Sequence, residues 1–315
     1  MAINSLETAK RYTDALDKAV LQKAVTGFFA DNVFKAKFAG AKTVIMPDIS
    51  FVGLADYNRD SGFSLAGTTI SNTSYTLTKD RGRKLQIDRE DMDETGVADL
   101  AGQILSEYVR TQVAPEMDAY ILSKLAKVAS DKSHKTTYTA AKAVSQLGTA
   151  INNVQSRIGY DEELVAFCDS VFYAQLMNST EFSRNIVVSD FSKGGINTRV
   201  QYFNGVALIP VMDDRMREEY DFKAGTAASS SAAATGGFTP KASAGYTRAL
   251  VIPKKGASLV KKTETLRIFT PEQNIDADAY AFNYRLYYDV FVKKSNLDSI
   301  ETIITAGTTQ TGQGG

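Results

Sequence analysis

The chain has one cysteine, one histidine and no excess of either charge: Lys plus Arg and Asp plus Glu both number 36 among 315 residues. Each scarcity excludes something. A lone cysteine, Cys168, excludes a disulfide framework within the chain. It lies in the apolar run VAFCDS, so it reads as a buried, inert thiol, with a nucleophile as the remote alternative. A lone histidine, His134, leaves no second imidazole for a His-rich metal site and reads as an ordinary surface residue. The charge balance argues against a general nucleic-acid-binding face, although it leaves room for a local basic patch. No run of 18 apolar residues occurs, so no membrane span is expected. The opening MAINSLETAKRY turns polar too early for a secretory signal. The expectation is a soluble protein of a reducing compartment, with 43% hydrophobic residues to fill one large core or two smaller ones.

Catalytic patterns are also scarce. The sequence contains no GK[ST], GxGxxG, CxxC, HExxH or GxSxG. Glu116 and Asp118 stand two apart on a predicted helix and so do not share a face. Asp213 and Asp214 are adjacent in a turn-like stretch, where they cap the next short helix or face water; a bound cation is the lesser reading. Nothing in the spacing brings Cys168 to His134. The sequence therefore offers no catalytic residue, no cofactor site and no metal site.

What the chain does contain is a changing period. LETAKRYTDALDKAV predicts a helix from Ser5 to Val25, with Asn4 as its cap and Glu7 three residues on. KTVIMPDI, Lys42 to Ile49, reads as a strand closed by Pro47. Phe51 to Ser74 is rich in Gly, Ser, Thr and Asn. YTLT and KLQID then alternate on either side of KDRGR, which predicts two strands joined at Gly82 by a charged turn. Such a ribbon has little core of its own and needs outside support. From Val97 to Ser130 the period becomes helical, with Pro115 expected to kink or divide a rod of about 50 Å. DKSHKTTY, residues 131 to 138, reads as a linker. Leu147, Ile151, Val154 and Ile158 mark a helix ending near Gly159. LVAFCDSVFYAQLMNS reads as strand then helix, with Asp169 or Ser170 at the N-cap, and GVALIPV as a buried strand. Ala224 to Gly237, AGTAASSSAAATGG, is too small and polar to anchor a core and reads as a mobile surface loop. LRIF, from Leu266, returns to strand. YAFNYRLYYDVFV predicts a long strand with Tyr280, Phe282, Tyr284, Leu286, Tyr288, Val290 and Val292 on one face. Tyr284 and Leu286 are the candidate core residues of that strand. TAGTTQTGQGG reads as a frayed tail.

The order of these elements, with YTLTKDRGRKLQIDREDMDET, RTQVAPEMDAYILSKLA and LRIFTPEQNIDADAYAFNYRLYYDVFV, resembles the major capsid protein of tailed bacteriophages over about residues 3 to 300. The resemblance implies an α+β chain with the HK97-like capsid fold. Residues 1–40 would be the N-terminal arm, and 57–94 the extended loop laid over a neighbouring subunit. Residues 41–56, 95–135 and 270–300 would form the peripheral domain with its spine helix, 136–269 the axial domain, and 301–315 a flexible tail. It implies a structural subunit, not an enzyme, whose pentamers and hexamers close an icosahedral shell around double-stranded DNA, contacted without sequence preference. Its place would be the virion capsid, assembled in the host cytoplasm. Lys79, Arg81, Gly82, Arg83 and Lys84 are then the intersubunit candidates. Some members of that family begin with a cleaved scaffolding segment of roughly a hundred residues. About forty precede the first strand here, so a separate scaffolding protein is expected beside a portal. Lys79 and Lys84 lie in the predicted loop, but no covalent crosslink is expected from them. Two rivals share parts of this pattern: the shell of a cellular, protein-packaging nanocompartment, and a soluble hydrolase using paired carboxylates.

Overall fold

The structure, a computed structural model, describes residues 24–31, 37–39, 42–60, 62–65, 67–90, 100–179, 182, 186–193, 196–225 and 236–305. In chain order the strands and helices are β1 (Lys37–Ala39), β2 (Thr43–Ser50), β3 (Thr69–Thr76), β4 (Lys79–Asp88), α1 (Leu100–Tyr108), α2 (Ala114–Asp131), β5 (Lys135–Thr137), α3 (Ala143–Ile158), β6 (Leu164–Asp169), α4 (Ser170–Met177), β7 (Ile186–Lys193), β8 (Ile196–Phe203), β9 (Val206–Val211), β10 (Tyr220–Phe222), β11 (Phe238–Pro240), β12 (Tyr246–Pro253), β13 (Ala257–Phe269), β14 (Ala279–Val292) and β15 (Glu301–Thr305). Helices and mixed sheets interleave along the chain, an α+β arrangement. No helix among the described residues is long and apolar enough to cross a membrane.

The long helix runs through its proline. α1 and α2 are joined by a π-helical turn, Val109–Val113, in which the Ala114 N–H reaches back to the Val109 carbonyl. The wider turn puts Pro115 at the first positions of α2, where a missing N–H is tolerated. Leu100 to Asp131 is thus one rod, about 48 Å long at 1.5 Å per residue. Its apolar positions Leu105, Met117, Ile121, Leu122 and Leu125 all enter the largest core.

That core lies between the rod and two sheets. The seven-stranded sheet has the order β5-β15-β12-β6-β9-β8-β7, and its central strands are buried on both faces. Val165 and Phe167 of β6, with Leu250 and Ile252 of β12, join the core shared with the rod. Leu164, Ala166 and Cys168, with Ala249 and Val251, join a second core under α3 and α4. The two-residue period thus feeds two cores from one strand, which is why these segments read as unbroken apolar runs. Asp169 caps α4: its carboxylate accepts the Phe172 N–H at 2.7 Å. Asp213 also serves that helix rather than a short one of its own, accepting the Ser170 N–H at 2.9 Å.

Of two three-stranded sheets, β1-β2-β3 and β13-β14-β4, the second packs against the rod. β14 is its centre, with Phe282, Tyr284, Leu286, Tyr288, Val290 and Val292 in the main core. Tyr284 is 4% and Leu286 2% exposed. The opposite face carries Tyr287 and Phe291 into a third, small core with Val44, Met46 and Leu77.

Several sequence expectations are corrected here. No turn occurs at Gly82. It lies inside β4, opposite Arg285 of β14, while β3 pairs with β2; the chain changes sheets at Leu77 and Thr78. The predicted ribbon of two neighbouring strands therefore does not form. A Cβ on Gly82 would stand 2.8 Å from the Tyr284 carbonyl oxygen, so glycine is required by close backbone approach, not by turn geometry. Pro47 does not close β2: the strand runs on to Ser50, pairing there with β3 alone, since β1 pairs only with Thr43 to Ile45 of β2. A proline fits where one edge is free. Residues 131–138 are not merely a linker, because β5 pairs in parallel with β15. Residues 301–305 are not a tail, because β15 lies between β5 and β12; 306–315 lie outside the described residues. β13, placed by sequence with residues 136–269, pairs along its length with β14 instead. The expected helix Ser5 to Val25 lies outside the described residues up to 23. Ala24 and Val25 are not helical, because Asp118 takes the N–H groups of Val25 and Thr26 at 3.1 and 3.0 Å. Phe28 and Phe29 then pack into the main core against Phe167. His134 is half-buried, not an ordinary surface residue: its N–H binds the Ala129 carbonyl and its carbonyl takes the Thr302 N–H.

Candidate intersubunit surface

The feature that no core absorbs is the segment between β2 and β3. Phe51, Val52, Leu54, Tyr57, Phe63 and Leu65 are all large, apolar or aromatic, and all exposed, Leu54 and Leu65 fully so. Exposed apolar side chains scattered singly are ordinary, but a run of them on one connection marks a surface that meets another molecule. The resemblance put residues 57–94 in the extended loop, but sequence reading did not single out these side chains, because they are spread among Gly, Ser, Asn and Asp with no helical or strand period. Large apolar side chains recurring inside a segment that lacks either period were the available signal.

The basic stretch that follows is held within the chain. Lys79 lies with its ammonium 3.7 Å from the centroid of the Phe222 ring and 4.8 Å from that of Tyr120. Burial there, with Arg81 nearby, pulls its pKa below the usual lysine range. Arg81 grips Glu116 of α2 through two hydrogen bonds, at 2.6 and 3.0 Å, and also donates to the carbonyls of Lys223 and Gly237. It therefore ties β4, the rod and the two sides of the segment between β10 and β11 together. Ala224 and Gly225 stand on one side of that segment; 226–235, the bulk of the expected mobile loop, lie outside the described residues. Lys84 pairs with Asp276 at 2.8 Å on the surface, and that contact holds the Asp276 carboxyl below the usual carboxylate range. Arg83 is exposed and points over the neck of the same segment, its guanidinium 3.0 Å from where a Gly225 Cβ would stand.

Arg81, Gly82 and Arg83 line one cleft of about 370 Å³, which Lys79 and Lys84 do not reach. Arg81, Arg83 and Glu116 are at its rim, and Leu85, Tyr108, Tyr284 and Leu286 among its walls. The π-helical turn contributes Gln112 and Val113. Sequence reasoning thus named residues on three sides of one concavity without placing them together. The spacing between β4 and β14, some two hundred residues apart, carries no local signal.

The carboxylates that suggested chemistry have structural partners. Glu116 holds Arg81. Asp118, fully buried, takes Thr26 and the Arg215 guanidinium at 2.9 Å; burial raises its pKa against the opposing pull of those partners. Cys168 is buried and burial pushes its thiol well up, away from a thiolate. Among the described residues no group of three His, Cys, Asp or Glu side chains is placed to hold a metal.

No family model and no curated protein matches the chain. Solved structures do. The capsid of cyanophage P-SCSP1u aligns with a TM-score of 0.53 at 12% identity, over 86% of both chains. The mature capsid of bacteriophage PhiM1 aligns with a TM-score of 0.52 at 14% identity, over 85% of this chain and 83% of that one. A virus-like particle from Pyrococcus furiosus aligns with a TM-score of 0.50 at 9% identity, over 93% and 98%. At these identities the likeness is one of architecture, and the chain has the fold of these phage capsid and virus-like-particle structures.

Proposed function

We propose that the chain is a structural, non-enzymatic shell subunit, the major capsid protein of a tailed phage. Copies assemble as pentamers and hexamers into an icosahedral wall around double-stranded DNA, which the neutral chain contacts without sequence preference. In this reading the rod from Leu100 to Asp131 is the spine, and the seven-stranded sheet with α3 and α4 is the axial domain. The β13-β14-β4 sheet belongs to the peripheral domain, and the extended loop is the connection from β2 to β3. Residues 1–40 serve as the N-terminal arm. A separate scaffolding protein and a portal complete the particle, which forms in the host cytoplasm and ends in the virion. The observation that carries the proposal is the run of exposed apolar side chains from Phe51 to Leu65, on a fold shared with capsid structures: it is surface that a monomer would not keep in water.

The test is electron microscopy and sedimentation of the purified full chain beside a variant in which residues 54–66 are replaced by a short Gly/Ser link. The replacement stops before Thr69, so β3 keeps its pairing with β2. Wild type should form capsomers or shells. The variant should stay folded and soluble but fail to close them. Normal closure by the variant refutes the intersubunit role of the loop.

A second reading, the shell of a protein-packaging nanocompartment, has the same fold, and the likeness to a virus-like particle from Pyrococcus furiosus shows that fold outside the phage capsids. Particles recovered from the source cells decide between the two: nucleic acid inside supports the first, a protein cargo the second.

A further inference from the structure

The tip of the exposed connection is a built turn. Asn58 and Gly62 bridge one another with N–H to oxygen distances of 3.3 and 2.8 Å. The Asn58 carboxamide oxygen accepts the Asp60 N–H at 2.8 Å, and Gly62 has a φ of 80°, which a side chain would resist. This turn sets the Tyr57 and Phe63 rings edge to face, centroids 5.0 Å apart, while leaving them 60% and 91% exposed. An aromatic knob already ordered in its own chain gives up little conformational freedom when a partner buries it, and aromatic anchors are what central interface pockets take.

The cleft beside Arg83 offers such a pocket. Its volume of about 370 Å³ admits a phenyl ring, its walls include Leu85, Tyr108 and Val113, and its rim carries Arg83. Among the described residues neither Asp60 on the knob nor Arg83 on the rim has an ion-pair partner within its own chain. We infer that the Tyr57–Phe63 knob of one copy seats in the Arg83 cleft of a second copy, with Asp60 meeting Arg83. This rests on the shell reading above and names the surface that its loop recognises. Charge and shape agree at one point: of the four charged residues that line the cleft, Arg81 is paired with Glu116 and Asp80 with Arg285, which leaves Arg83 to meet Asp60 beside Leu85, Tyr108 and Val113. Burying Phe63 drives the contact, and the ion pair sets its register.

Two measurements test it in the full chain. First, chains carrying Phe63→Cys are mixed with chains carrying Gln112→Cys and oxidised mildly; Cys168 is buried and does not interfere. The mixed disulfide should exceed either like pair by about tenfold, because only one arrangement brings the two thiols together. Second, Asp60→Arg and Arg83→Asp should each lower the assembled fraction by about fivefold or more, repeated contacts adding to a modest single pair, while the double swap restores it to within about twofold. Monomer melting should not move, since both side chains are exposed. Loss of assembly in Phe63→Ala with neither disulfide nor rescue overturns the cleft assignment and leaves the shell reading standing. A wild-type chain that stays monomeric overturns both.

Discussion

Gly82→Ala should destabilise the subunit, although alanine is the better residue by propensity in most strands. Glycine costs an ordinary strand roughly 0.5–1 kcal/mol relative to alanine, chiefly through the freedom it has when unfolded. At Gly82 a Cβ would lie 2.8 Å from the Tyr284 carbonyl oxygen and 3.4 Å from the Arg285 Cα. Both obstacles are backbone, so no rotamer change relieves them. β14 must shift, and it is the central strand of its sheet, with Tyr284 and Leu286 in the main core on either side of the contact. Forced displacement in a packed core typically costs about 1–3 kcal/mol. The strain outweighs the entropy gain, leaving a net loss of about 0.5–2 kcal/mol. Gly148→Ala is the matched control. It lies in α3, where a Cβ would meet nothing within 4 Å, and it should stabilise by about 0.5–1 kcal/mol. Urea unfolding of the unassembled subunit reads both: the midpoints should move in opposite directions with the slopes unchanged. If both midpoints rise, β4 does not lie against β14 at Gly82.

Leu286→Ala should cost about 2–5 kcal/mol through lost burial and the cavity left behind, whereas Arg285→Ala, on the other face and paired on the surface with Asp80, should leave the urea midpoint almost unmoved; equal effects on the midpoint would put the strand register off by one. Asp169→Ala removes both the cap of α4 and the partner of Arg248, for about 3–5 kcal/mol. Asp169→Asn keeps an acceptor for the Phe172 N–H and should be milder than Ala by about 1 kcal/mol; an Asn variant as stable as wild type would mean that Arg248 does not depend on the carboxylate. Burial raises the phenol pKa of Tyr120, Tyr220 and Tyr288 above the usual 10. Above pH ~10 the unfolded chain releases these protons and the native chain keeps them, so stability falls with rising pH, by about 1.4 kcal/mol per pH unit per group. Absorbance of tyrosinate near ~295 nm should therefore show one class of tyrosines titrating freely and another appearing only as the chain unfolds; a single smooth titration of the folded subunit would contradict this burial.

The sequence disclosed whatever rests on local period. β14 alternates because one face meets the main core along its whole length. The rod from Leu100 to Asp131 shows its helical spacing through Pro115, although the π-helical turn that absorbs the proline leaves no trace in the residue pattern. The Asp169 cap is legible because it sits one residue before its helix. What stayed hidden depends on partners remote in the chain. β4 looks like half of a ribbon until β14 is known to lie beside it, and Gly82 looks like a turn residue until the Tyr284 carbonyl is found against it. β5 and β15 have three and five residues, too few to show a period; β5 is a strand because β15 lies beside it, and β15 because β5 and β12 flank it. The cleft has the same character: Arg81 reads in the sequence as a charge offered to a neighbouring subunit and in the fold as the clamp between β4 and α2.

The exposed connection differs from all of these, because no described residue of the chain covers it. Burying a side chain such as Phe51, Leu54, Phe63 or Leu65 is worth about 1.5–3 kcal/mol, so four of them approach the ~5–15 kcal/mol that holds a whole domain together. The subunit folds without drawing on that sum, since its three cores are filled by other residues. The free energy remains available for association. In the proposed shell, folding and assembly therefore draw on separate sets of side chains. Changes in β14 or at Asp169 should lower melting and carry assembly down with it. Changes at Phe63 or Leu65 should leave melting alone and act on assembly directly. A loop substitution that lowered the melting of the isolated subunit as much as Leu286→Ala would show that the connection packs on its own chain, and the separation would fail.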